Sequence, residues 1–382
     1  MQTPDATESS TRLKRLLGFL ERDPDNASLL ADAAEEAFGE GERETAAKLL
    51  ARYEAASPLP PPLQNLKGLT ALSGGDFATA ADIFQALLSE NSADPVLRFN
   101  LAWAKSMLED WDGAVEMLDD ETAVTVPNAA ALKIHGLHHL GRLDEALACG
   151  RELARRMPDD KDLMGALANA AIDAEDLALA REYATRAGGQ HEGLSALGMV
   201  LLNDSDIPAA MTAFEHALEV RPDDARAAVG KGLALMAENN PAKAAPWLDK
   251  GAERFGEHLG SWVASAWAYF AAGDLVTSRA RFEKALAIDD TFAEIHGGLA
   301  VLDIAAGDLE SAKRRTEVAL RLDRQCFSAA LAKSLLLAAE GNAQAAERIR
   351  NIALNTPLGQ SGKTLMQSMA SLMAARKKAG GV

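Results

Sequence analysis

Along most of the chain, apolar residues recur at intervals of three and four, the spacing that lays one stripe along an α-helix, and the stripes are interrupted by Gly, Asn, Asp or Pro. The segment from His191 to Asp224, HEGLSALGMVLLNDSDIPAAMTAFEHALEVRPDD, shows this most plainly. Leu194, Leu197, Gly198 and Leu201 fall at i, i+3, i+4 and i+7 of one helix; Ala210, Phe214 and Ala217 line a second. Having no side chain, Gly198 lets a neighbouring helix approach closely. The pattern predicts two amphipathic helices of about three turns joined by a tight turn, a unit of 34 residues.

One position of that unit serves as a ruler. Position 20, where the two helices cross, is small in Ala46, Ala80, Ala114, Ala146, Ala180, Ala210, Ala244, Ser278, Ala312 and Ala346, with every step 34 residues except one of 32 and one of 30. Position 8 keeps phase as Ala34, Gly68, Ala102, Ala168, Gly198, Gly232, Ala266, Ala300 and Ser334, and departs only at Ile134. Position 15 is glycine at 41, 75, 141, 273, 307 and 341, where a helix end calls for a left-handed residue, and Asp or Asn usually follows as the next helix's N-cap. These acids read as caps, not catalysts.

Such periodicity resembles the tetratricopeptide repeat, whose pattern has small or apolar residues at positions 4, 7, 8, 11, 20, 24 and 27 and proline near 32, here matched by Pro58, Pro158 and Pro222. The resemblance implies an all-α, right-handed α-solenoid of about ten helical hairpins with an extra helix at each end. The expected organisation is a disordered tail over 1–10, a half-repeat helix over 11–26, repeats at 27–60, 61–94, 95–126, 127–160, 161–190, 191–224, 225–258, 259–292, 293–326 and 327–360, and a capping helix and tail over 361–382. Leu13, Leu16, Leu17 and Leu20 stripe the first lone helix; Leu365, Met366, Met369, Leu372 and Met373 stripe the last. Arg43 and Pro241 at position 17, Glu121 at 27, Arg350 at 24 and the shortened fifth repeat depart from the pattern.

Composition agrees with helix and narrows the partners. The 382 residues are 48% hydrophobic but only 5% aromatic, with the apolar bulk in Ala and Leu. A formal net charge of −17 repels phosphate backbones, so nucleic acid is not expected as the partner. The only cysteines, Cys149 and Cys326, form no metal or disulfide motif, and no window offers the roughly 18 apolar residues of a membrane span. Without a secretory signal pattern at MQTPDATESS, a cytoplasmic protein is expected.

Three short motifs invite chemistry. PLGQSGKT, Pro357 to Thr364, looks like a phosphate-binding loop but has proline in place of the first glycine and neither a preceding strand nor an α/β context. His135, His138 and His139 have the i, i+3, i+4 spacing of metal ligands, without a carboxylate or cysteine to complete the set; a polar patch on the inner surface is the expectation. SPLPPP, Ser57 to Pro62, reads as a stiff connector leading into a helix. No arrangement of Ser, His, Asp or Cys escapes the repeat, so no catalytic residue, cofactor or metal is expected.

Carried over from the family, the first helix of each hairpin lines the concave side through positions 2, 5, 9, 12 and 13. Here that face holds Phe99, Trp103, Met107, Met199, Leu202, Leu233, Met236, Val263, Trp267 and Phe270, with Asn65, Asn100, Asn169, Asn203 and the three histidines. Lysine is absent from positions 2 and 5, which argues against the family's clamp for acidic peptide tails, and of the asparagine ladder of its glycosyltransferase relatives only Asn100 stands in place. The expected function is a non-catalytic scaffold or adaptor that binds a protein or peptide segment with apolar anchors and basic flanks. The alternative is a regulatory or targeting subunit of a separate enzyme, such as a glycosyltransferase, a sulfotransferase or a secretion machine. Self-association through the groove is a further option.

Overall fold

The computed structural model describes residues 6–91 and 93–355. Among them are twenty-two helices and no strand, and no helix is long and apolar enough to cross a membrane. A lone helix α1 (Ala6–Leu20) comes first. Paired helices then follow: α2 (Ala27–Gly39) with α3 (Arg43–Ala56), α4 (Pro61–Gly74) with α5 (Phe77–Glu90), and α6 (Pro95–Met107) with α7 (Trp111–Met117) and the short α8 (Asp120–Thr125). Next are α9 (Ala129–His139) with α10 (Leu143–Arg156), α11 (Lys161–Asp173) with α12 (Leu177–Ala187), α13 (His191–Asn203) with α14 (Ile207–Val220), and α15 (Ala225–Ala237) with α16 (Pro241–Phe255). Last are α17 (Leu259–Ala272) with α18 (Leu275–Ile288), α19 (Ala293–Ala305) with α20 (Leu309–Leu322), and α21 (Phe327–Ala339) with α22 (Ala343–Asn355).

Close packing explains the ruler. All ten residues at position 20 are buried, and the largest exposure among them is 6%, at Ala346. Where position 24 carries an aromatic ring, glycine makes room for it, and for Phe214 it does so on both sides: a Cβ on Gly198 would lie 2.5 Å from the ring, and one on Gly230, in the following hairpin, 2.2 Å. Phe84 meets one glycine, Gly68 of its own hairpin, and Phe282 one, Gly298 of the following hairpin. Such a ring, held between two hairpins, converts sequence period into stacking.

The turn between paired helices is left-handed at position 15 whichever residue stands there. Its six glycines have φ between 69° and 87°, and Glu109, Glu175, Ser205 and Asn239 adopt φ of 63°, 58°, 64° and 61° at the same place. One residue further on, Asp76, Asp110, Asp176, Asp206, Asp274 and Asp308 each accept a hydrogen bond from the backbone N–H three positions later, which satisfies an N-terminal amide the helix leaves open.

The chain divides after Pro158 into two compact units. In the first, α1 buries Leu13 and Leu20 against Leu30, Ala33 and Leu50 of α2 and α3, and each later pair packs on the one before it. In the second, the pairs from α11 to α22 stack in the same order around Phe214, Leu248, Phe282 and Leu299. There Asp249 of α16 accepts hydrogen bonds from Ser265 and Tyr269 of α17 and from Arg281 of α18, tying three consecutive helices together.

Two expectations change. Helix α1 begins at Ala6, inside the stretch 1–10 expected to be a disordered tail. The second helix of the 95–126 repeat is not continuous: α7 ends at Met117 and α8 starts at Asp120. The break has a local cause, because Asp119 accepts from the Thr122 amide at 2.8 Å, pairs with Arg98 at 3.0 Å and so caps a new helix, while Leu118 turns inward. Glu121, the departure at position 27, falls in α8, and Pro241 sits at the first position of α16, where its missing N–H costs nothing. The expected capping helix over 361–382 and the PLGQSGKT segment lie outside the described residues.

Candidate functional site

In the first unit, α6 carries an apolar stripe at i, i+3, i+7 and i+11. Val96, Trp103 and Met107 are 53%, 47% and 49% exposed, and half-buried Phe99 meets the Trp103 ring edge-on at 5.8 Å between centroids. Asn100 is turned inward and buried. Asn65, on α4, is half-buried with its Oδ1 enclosed and without a hydrogen-bond partner.

Of the histidine trio, His135 and His138 are half-buried on α9, while His139 stacks flat on Trp111 with centroids 4.2 Å apart and planes 3° from parallel. Withdrawal from water, then the neighbouring His138 and His135, hold its pKa below the ordinary value, against a smaller opposing pull from Glu109. Among the described residues no three His, Cys, Asp or Glu side chains are grouped so as to hold a metal ion.

In the second unit the expected groove residues sit at the edge of the core. Met199 and Leu202 flank the cluster around Phe214, Leu233 and Met236 flank Leu235 and Leu248, and Val263, Trp267 and Phe270 flank Phe282. Trp267 stands edge-on to both Phe270 and Phe282, at 5.4 and 5.5 Å. The two tryptophans at position 9 therefore differ: Trp103 projects, whereas Trp267 is packed. Asn203 is exposed, and half-buried Asn169, like Asn65, encloses an unpartnered Oδ1.

Sequence reading missed a pocket of about 400 Å³ on this face, lined by Asp173, Met199, Arg226, Leu233, Phe255 and His258 among others. Arg226 of α15 reaches Asp173 of α11 with two hydrogen bonds, at 2.9 and 2.8 Å. His258 Nδ1 accepts from the Ser261 amide at 3.2 Å, so it caps α17 and leaves Nε2 as the protonated nitrogen. Burial lowers the His258 pKa; Asp173 opposes this and Arg226 adds to it. Asp173 and Arg226 occupy inner positions 13 and 2, which was legible, but their pairing across 53 residues was not.

The acidic pairs of the loops and one of the cysteines have structural roles. Asp160 and Asp224, from the acidic pairs in the loops, cap α11 and α15, and Asp224 also pairs with His191 at 2.8 Å. Burial pushes the Cys326 thiol up to about 12, and its Sγ accepts from the Ala329 amide, so it is no nucleophile near neutrality.

Comparison with known proteins agrees with this geometry. Two models described as tetratricopeptide repeat match, one over residues 31–95 and 195–257, the other over 71–133 and 269–336, together more than half of the chain. None of the curated proteins matches. Among solved structures, the human IFIT1 dimer with m7Gppp-AAAA is 15% identical, with a TM-score of 0.53 and coverage of 92% of this chain and 95% of that one. Pseudomonas aeruginosa PilF is 17% identical, with a TM-score of 0.44 over 55% of this chain and 96% of that one. MamA from Desulfovibrio magneticus RS-1 is 20% identical, with a TM-score of 0.37 over 43% and 95%. At 15% identity the likeness to IFIT1 is one of fold, and the repeat models carry the assignment: the chain belongs to the tetratricopeptide repeat family.

Proposed function

We propose that this protein is a non-catalytic scaffold that holds an extended or helical segment of a partner protein by apolar anchors on its first-helix faces. One observation carries the reading: the α6 stripe leaves Val96, Trp103 and Met107 about half exposed in a chain whose other large rings are mostly packed. Large exposed aromatics aligned on one face are the side chains that anchor partners. The net charge of −17 favours basic flanks on the partner and disfavours nucleic acid, and the capped RNA in the IFIT1 structure is a property of that protein.

The test places a photo-crosslinking amino acid at position 103 of the full chain in its native cell, with Val276, which is 84% exposed on α18, as the control position. A discrete adduct from position 103 that is absent from position 276 identifies the partner. Trp103→Ala should then weaken its binding tenfold or more; unchanged affinity overturns the reading.

A further inference from the structure

The N-terminal end of the α6 stripe opens onto a second pocket of about 400 Å³, between α4, α5 and α6 of the first unit. Its apolar walls are Pro61, Leu87 and Val96, and Val96 is also the first residue of the stripe. Its polar lining is rich in acceptors. Asn65 lines it beside two carboxylates: Glu90, exposed in the last turn of α5, and half-buried Asp94, whose Oδ1 caps the Val96 and Leu97 amides at 2.9 and 3.1 Å.

The backbone adds to the same sign. Helix α5 carries no basic residue in its last turn, so its C-terminal carbonyls keep their partial negative charge, while the positive end of α6 is already answered by Asp94.

We propose that this pocket receives a lysine or arginine side chain of the partner segment. The aliphatic stem lies along Pro61, Leu87 and Val96, and the cationic head sits between Glu90 and Asp94. This rests on the proposed anchoring at Trp103 and deepens it by setting a register. From Val96 to Trp103 the helix rises about 10 Å, which an extended segment covers in about three residues. The partner motif is therefore a basic residue about three positions from a bulky apolar one.

A set of defined peptides tests the register. Each carries one Lys or Arg and one Phe or Met on an Ala/Ser background, spaced by one to seven residues, and binding to the full chain is read by fluorescence polarisation. Affinity should peak at a spacing near three and fall at least tenfold in Glu90→Gln with Asp94→Asn; asparagine keeps the α6 cap, so folding is preserved. The same peptide with norleucine for lysine should be indifferent to those substitutions. A best binder that ignores the double variant but fails on Trp103→Ala overturns the basic pocket and leaves the apolar anchoring intact. Sensitivity to the double variant without sensitivity to Trp103→Ala does the reverse. If no spacing binds above the Ala/Ser background, the pocket proposal is overturned.

Discussion

Asp249 and Arg281 face each other in a two-point ion pair, Nε to Oδ1 at 2.8 Å and a terminal nitrogen to Oδ2 at 2.7 Å, joining α16 to α18 across α17. Burial alone would raise the Asp249 pKa, but hydrogen bonds from Arg281, Ser265 and Tyr269, with the Arg281 charge, outweigh it and hold the carboxyl below its ordinary value. A group whose folded pKa is depressed stabilises the fold above its unfolded value, about 4, and loses that contribution as pH falls through the folded value. Asp249→Ala should cost about 2–3 kcal/mol at pH 7, less than the roughly 3–5 kcal/mol for breaking a fully buried pair, because Arg281 is partly solvated. Denaturant titrations should show the gap between the variant and the native chain closing as pH drops below about 4.

Trp103 and Trp267 share a repeat position but not an environment, so truncation separates them. Trp267→Ala removes a ring packed on Phe270 and Phe282 and should cost about 3 kcal/mol. Trp103→Ala removes a ring that is 47% exposed and should cost about 1 kcal/mol or less. Equal losses in thermal or denaturant melts would show that Trp103 is core, and would remove it as an anchor.

Ser278 is the one hydroxyl in the position-20 series, fully buried with its Oγ unpartnered. Alanine fills the other nine places without a polar atom. Ser278→Ala should therefore stabilise the protein by about 1 kcal/mol, the cost of an unmet buried hydroxyl, read as a rise in the denaturation midpoint. Destabilisation would mean that the hydroxyl has a partner.

Glu109 and Glu175 hold the left-handed turn that glycine holds elsewhere. That conformation costs an L-residue about 1–2 kcal/mol, and glycine returns part of the gain through its looser unfolded chain. Glu109→Gly and Glu175→Gly should each stabilise by about 0.5–1 kcal/mol, whereas Gly273→Ala should destabilise by about 1 kcal/mol. The three melts together test whether the backbone or the side chain sets the turn.

Much of the fold was legible because a repeat forces the same steric demand to recur. A crossing helix leaves no room at position 20, a turn needs the left-handed region at position 15, and an open helix end needs an acceptor one residue later; local chemistry imposes all three, so they show in a single sequence. Glu109, Glu175, Ser205 and Asn239 mark the limit of that reading, since the turn persists where its usual residue is missing.

The candidate site was legible by position and illegible by exposure. Sequence alone determined that Trp103 and Trp267 fall at position 9 of a first helix, and that Asn65, Asp173 and Arg226 fall on the same kind of face. Only the tertiary structure decided which of them a partner can touch. At Trp267 the paired helix supplies Phe282 at position 24 and the ring packs edge-on; at Trp103 the same place holds Leu118, turned into the core where α7 ends, and the indole is left half exposed. Asp173 finds Arg226 for a related reason: residues 53 apart in sequence become neighbours only when α13 is stacked between their helices. Periodicity is a property of one helix and its turn, while exposure depends on what the next hairpin brings against it.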